Sequence, residues 1–274
     1  MSRPAVAVAL LVLPVAASAC GGTAAKSPTE PTATTAATAP EGAVAAAVAV
    51  AKTVAAGSEH VDIVASVVTN AKPVRLVGSG DFDTASRRGS IHAKLAIAGT
   101  NQTLDEVQDG TTIYLKSPLV APVLPAGKTW LQLDLAAAGR TFGADASALA
   151  AQDPAAVLEQ LQAVASATKV GTQTVAGTQT THYRGRIDTS KLPQATTKAL
   201  AAGHVTFGPY QVWTGADGYV HRLEVTTTST TSSQTVKTVL TMTLSKFGEA
   251  SGVSLPPASQ TLDARNLSLL GSGN

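Results

Sequence analysis

The chain is 274 residues long, 44% apolar, 14% charged and only 4% aromatic, with a formal net charge of +2 and a single cysteine. No run of basic residues exceeds Arg87-Arg88, so the electrostatic footprint of a nucleic-acid binder is missing. One cysteine rules out an intramolecular disulfide, which leaves the fold to be held by its core alone.

Residues 1–19 read as an export signal. Arg3 supplies the positive start, Val6 to Val15 an apolar stretch, and Ala16 to Ala19 the small residues a signal peptidase requires. The apolar stretch is shorter than the roughly 20 residues that span a bilayer, so a cleaved segment is expected. Without Arg3 the net charge of +2 falls to +1. Cys20 follows directly, with Gly21-Gly22 leaving its thiol sterically open. This is a lipoprotein pattern: the thiol becomes a thioether bearing a diacylglyceryl group with palmitate-class chains. The alternative is an ordinary secretory signal cut after Ala19. Either places the folded part outside the cytoplasm, and the first places it on the outer face of the cell membrane.

Residues 20–40 form the lipidated cysteine and a Thr/Ala/Pro linker without a large apolar side chain. The stretch Gly21 to Pro40 reaches on the order of 65 Å when extended, a tether that holds the domain clear of headgroups. The folded domain is expected over 41–264, with a flexible tail at 265–274.

In chain order, Val44, Ala47, Val48, Ala51 and Ala55 recur at helical spacing and predict a helix ending at Gly57. The period then switches to two. Val61–Val68, Val74–Asp83, Ile91–Ala98, Thr103–Gln108, Thr111–Lys116 and Trp130–Leu135 read as strands, with Asp109-Gly110 as a hairpin turn of two positive-φ residues. Asp153-Pro154 opens a second helix whose stripe is Val157, Leu158, Leu161, Val164 and Ala165. Thr168–Val175 and Thr178–Ile187 form a hairpin through Ala176-Gly177, and Leu192–Ala202 a short helix. Val205–Thr214, Tyr219–Thr228 and Val236–Phe247 complete the strands. The sum is an α+β fold: a large curved antiparallel sheet, a half-barrel of about 11 strands, with about three helices on its concave face.

The small apolar residues of the helices, Ala47, Val48, Ala51, Val157 and Leu161, are candidates to line a cavity beneath that sheet; the same residues suit a packed core. The proline-rich loop Ser117 to Gly127 presents Leu119, Val120, Val123 and Leu124. It suits a lid over an entrance, a membrane-touching tip, or a segment packed back on the sheet. Arg184 and Arg186 share a strand face and are candidates to hold an anionic headgroup at a cavity mouth. Trp130 and Trp213 are expected in packed positions with partnered indoles, or at a rim.

Catalytic patterns are missing: there is no G-x-S-x-G, H-E-x-x-H, phosphate-binding loop or Cys/His metal spacing. Ser166 and Lys169 have S-x-x-K spacing without its companion elements and are read as a polar helix terminus. The histidines 60, 92, 182, 204 and 221 stand singly, at surface or rim positions. Asp81 and Asp83 share a face, as a calcium or acid/base pair or as a solvated strand end. No catalytic residue, cofactor or metal is expected.

The phrases GSGDFD (78–83), GTTIYLKSPL (110–119), KTWLQLDL (128–135), QDPAAVLEQL (152–161), TKVGTQTVAGTQTTHYRGRID (168–188), VWTGADGYVHRLEV (212–225) and KFGEASGVSLPPAS (246–259) resemble the actinobacterial LppX/LprAFG lipoproteins. The resemblance covers about Val44 to Asp263. It implies a half-barrel related to the LolA/LolB lipoprotein carriers, with an apolar cavity for the acyl chains of lipids or glycolipids. It further implies partners in the membrane, the bound lipid and an envelope exporter. The expected function is a monomeric, membrane-anchored lipoprotein that binds lipid and carries or presents it in the envelope. The alternative is an envelope sensor or scaffold whose collapsed half-barrel binds a protein. A two-lobed solute-binding protein does not fit the strand-rich pattern.

Overall fold

A computed structural model describes residues 41–69, 73–84, 86–97, 99–134, 164–192, 194, 197, 200–201, 204–230 and 235–266. A helix, α1 (Glu41–Ala55), precedes β1 (Ser58–Val68), β2 (Val74–Asp83), β3 (Arg88–Ile97), β4 (Thr100–Asp109), β5 (Thr112–Lys116) and β6 (Trp130–Asp134). After residues outside this description come β7 (Val164–Val175), β8 (Thr178–Ile187), β9 (Val205–Phe207), β10 (Tyr210–Gly215), β11 (Val220–Thr230), β12 (Thr235–Ser245) and β13 (Thr261–Asp263).

All of these strands join one open sheet in the order β13-β6-β5-β4-β3-β2-β1-β12-β11-β10-β8-β7, with β9 beside β11. Every pairing is antiparallel except β13 on β6. The chain meanders outward from β1 to β6, returns through β7 and β8, and closes the middle by pairing β12 with β1. The expected curved, open half-barrel is the fold found.

Strand chemistry dictates which face is dry. Val61, Ile63 and Ala65 alternate on β1, and the register carries their face onto Leu244, Met242 and Leu240 of β12. It continues through Leu223 and Val225 of β11 to Val212 of β10. With Tyr210 and Val220 these side chains form the main core. The opposite, outer face of β1 and β12 bears Asp62, Ser66, Thr241 and Thr243.

On α1 the sheet-facing stripe is Ala43, Ala46, Ala49, Val50 and Thr53, all buried. This corrects the sequence reading: Val44 and Val48 are 52% and 63% exposed, and Ala51 and Ala55 are exposed on the same side. A helix that is Ala and Val nearly all round has no polar face to fix its rotation. Thr53 decides it instead, because its buried hydroxyl accepts the N–H of Val220.

Other boundaries moved for local reasons. The Thr111–Lys116 strand starts one residue later, so Gly110-Thr111 is the turn and Gly110 alone takes positive φ (60°). Ala176 and Gly177 both take positive φ, 45° and 84°, in the hairpin joining β7 to β8. Gly208-Pro209 divides the expected Val205–Thr214 strand into β9 and β10, since proline offers no ladder N–H. Val164 and Ala165, read as helix, open β7. The rest of the second helix lies outside the described residues, and within the third, residues 194, 197, 200 and 201 are helical.

Candidate functional site

The inner face is continued onto β2–β6 by the register, which sets side chains in rows across the strands. One row runs Val61, Gly80, Ile91, Glu106, Leu115, Leu131 and Leu262. The next runs Ile63, Gly78, Ala93 and Leu104, and another Ala65, Leu76 and Leu95. Ile113 and Leu115 form a second apolar cluster with Leu104 and Leu133, while Leu76 and Ile91 pack against the main core. Helix α1 packs chiefly on β7, β8, β10 and β11, leaving it to one side of this apolar area. Leu76, Ile91, Leu95, Leu104 and Leu133 are only half-buried.

Glu106 is the exception in chemistry. It lies between Ile91 and Leu115 across the strands and between Leu104 and Gln108 along β4. Burial pushes its carboxyl up to about 7, with no charged neighbour contributing. Its side chain nevertheless keeps some accessible surface. The sequence pattern does not reveal it: TNQTLDEVQD is polar on both faces, and only the register shows which residues surround position 106.

The sequence-derived candidates scatter. Ala47 is half-buried and Val48 and Ala51 are exposed on α1, away from its sheet-facing side; Val157, Leu161 and Cys20 lie outside the described residues. Leu119 (37%) and Val123 (51%) are exposed and Val120 and Leu124 half-buried in a loop that contains one 3-10 turn, Ala121–Val123. Arg184 and Arg186 share a face as expected, but it is the outer one: Arg184 pairs with Gln211, which pairs with Glu224. Both arginines are exposed there, turned from the inner face.

Three of the histidines and Asp83 have structural partners. His60 pairs with Asp81 through Nδ1 at 2.6 Å, His92 with Asp105, and His221 with Asp217 at 2.9 Å. Asp83 accepts the N–H of Ser86 at 2.9 Å. A polar cleft of about 130 Å³ is lined by Glu59, His60, Asp81, Lys246, Glu249, Ala250 and Ser251, small beside the roughly 300 to 1,000 Å³ of ligand pockets. Among the described residues, no group of three or more His, Cys, Asp or Glu could hold a metal. Ser166 and Lys169 sit on a strand rather than a helix end, on opposite faces of β7 by their pairing with Arg186 and Tyr183.

Trp213 is buried, but on the outer face, stacked on His182 at 4.3 Å and donating Nε1–H to Gln173 at 2.8 Å. Trp130 is half-buried below Lys116, whose ammonium lies 5.6 Å from the ring. Tyr210 is fully buried, and burial drives its phenol well above the ordinary range. No helix among the described residues is long and apolar enough to cross a membrane.

The arrangement defines a class: an open, helix-bearing half-barrel with an apolar inner face and no catalytic constellation among its described residues. No protein-family model and no curated relative matches the sequence. Solved structures similar to it include the lipoprotein LppX of Mycobacterium tuberculosis (19% identity, 77% of this chain and 99% of that one, TM-score 0.43). LprF of Mycobacterium bovis is similar at 16% identity over 80% of this chain and 99% of that one, TM-score 0.43. A putative outer membrane lipoprotein-sorting protein domain of Vibrio parahaemolyticus is similar at 7% identity over 81% and 96%, TM-score 0.28.

Proposed function

We propose that this is an exported lipoprotein, anchored through Cys20 on the outer face of the cell membrane, that receives acyl chains and carries or presents them in the envelope. The observation that carries this reading is the half-buried apolar area of β2–β6, which holds an enclosed yet accessible carboxyl group at Glu106. A packed core has no use for such a group, whereas a hollow for lipid does. Tails lie along Leu76, Ile91, Leu95, Leu104 and Leu133, each buried methylene contributing about 0.8 kcal/mol. Glu106, protonated or ionised near neutral pH, bonds a hydroxyl or amino group of the lipid. No step of this function breaks a covalent bond, so it is binding and transfer rather than catalysis.

The exposed apolar stripe Val44, Val48, Ala51 and Ala55 of α1 supports the second reading, a scaffold that binds a protein partner. Mass spectrometry of the mature protein from an actinobacterial host separates the two. Under denaturing conditions, a diacylglyceryl increment on Cys20 tests the anchor. Under native conditions, a stoichiometric non-covalent lipid supports the carrier; an apo mass that incubation with envelope lipid leaves unchanged overturns it.

A further inference from the structure

Strand direction sorts the turns onto two rims. The rim holding the end of β1 and the start of β2 also holds the β5–β6 loop, because β5 ends at Lys116 and β6 begins at Trp130. Residues 258–260 join it, since Thr129 N–H bonds the Gln260 carbonyl and Lys128 Nζ reaches the Ser259 carbonyl at 2.9 Å. Helix α1 also begins there: Gly42 abuts Ala167 and Tyr183, beside the start of β10, while the last turns of α1 meet Asp217 and Val220 at the opposite rim. The described chain therefore begins at the rim that carries the apolar loop, which we call the tether rim.

Exposed large apolar side chains gather at this rim. Val44, Val68, Leu119 and Val123 are 37–52% exposed there, Val48, Val77 and Val170 are exposed midway along their elements, and the opposite rim has none among the described residues. Charge divides the same way. Arg75, Lys116, Lys128, Lys191 and Lys237 lie at the tether rim with Asp188, an excess of cations, while at the other Asp83, Asp109, Asp134, Asp217 and Glu249 are offset by Lys52, Arg87, Arg88 and Lys246.

We propose that the rim formed by the β5–β6 loop and residues 258–260 docks on an anionic lipid bilayer, with Leu119 and Val123 entering the headgroup boundary. Apolar tips ringed by cations match that surface, where buried apolar area and electrostatic attraction add. The inference rests on the lipoprotein reading for the direction of the tether. It goes further in placing the domain upright, its apolar inner face opening toward the membrane that supplies or receives lipid.

The test couples the mature chain through Cys20 to a maleimide lipid, so that tethering does not depend on natural lipidation. Vesicles contain dibrominated phosphatidylcholine and phosphatidylglycerol, and two variants, Val123→Trp at the tether rim and Ser86→Trp at the opposite one, report contact by bromine quenching. The expected result is loss of fluorescence from the Val123→Trp indole, weakened at high salt, and none from the Ser86→Trp indole. Equal quenching of the two, none of either, or cross-linked dimers of the tethered chain that shield position 123 would overturn the proposal. The lipoprotein reading fails separately, if natural Cys20 lacks its diacylglyceryl increment while the coupled chain still docks.

Discussion

The hydroxyl of Thr53 accepts the backbone N–H of Val220 at 2.8 Å while donating to the Ala49 carbonyl at 2.8 Å. Both residues are fully buried, so one hydroxyl ties the last turns of α1 to the first residue of β11. Thr53→Val keeps the shape but strands the Val220 N–H, and is expected to cost about 1 to 3 kcal/mol. Thr53→Ser keeps the bond and loses one methyl, about 1 kcal/mol. Urea unfolding of the two variants checks the order; a Val variant as stable as wild type would refute the role of the hydroxyl.

Glu106 makes stability depend on pH. Its carboxyl ordinarily titrates at 4.5 and does so near 7 in the fold. Between those values the folded state holds the proton more tightly. Stability is thus complete below pH 4.5, declines as pH rises to 7, and is flat above; the total loss is about 3 kcal/mol. Glu106→Gln is expected to remove that decline and to be the more stable protein at pH 8. Denaturant titrations from pH 4 to pH 8 read the slope directly, and an unchanged slope in the variant would assign it elsewhere.

Leu104 stands beside Glu106 on the inner face and is half-buried. Leu104→Arg introduces a charge where acyl chains are proposed to lie, at a site with enough access for the guanidinium to reach water. The variant is expected to fold, by circular dichroism and melting, and to lose co-purifying lipid. Retention of wild-type lipid content by a folded variant would remove the β2–β6 face from the site.

Ala176 occupies a left-handed backbone conformation, φ 45°, that costs a residue with a Cβ about 1 to 2 kcal/mol. Asparagine tolerates it and suits the turn that Ala176 and Gly177 form. Ala176→Asn is expected to raise the melting temperature, with no change in lipid content; a lower melting temperature would show that the Ala176 methyl has a packing role.

Much of the sheet is legible in the sequence because a strand's alternation is local. Val74–Asp83 and Thr178–Ile187 are found at their expected ends, and the other long strands within a few residues. β13 is three residues long, too short to alternate visibly, and exists because β6 offers an unpaired edge. The candidate site was less legible. Arg184 and Arg186 share a face by spacing, yet spacing does not say which face, and the core chose the outer one.

The sequence by itself determined the meander and its turns, since each depends on residues close in the chain. Only the tertiary structure decided the rotation of α1, which rests on Thr53 meeting a strand 167 positions away. It also decided the enclosure of Glu106 between Ile91 and Leu115, and the placing of Leu119 and Val123 on the rim where α1 begins. These are questions of register and packing between distant segments, and a periodic pattern carries no information about its partner.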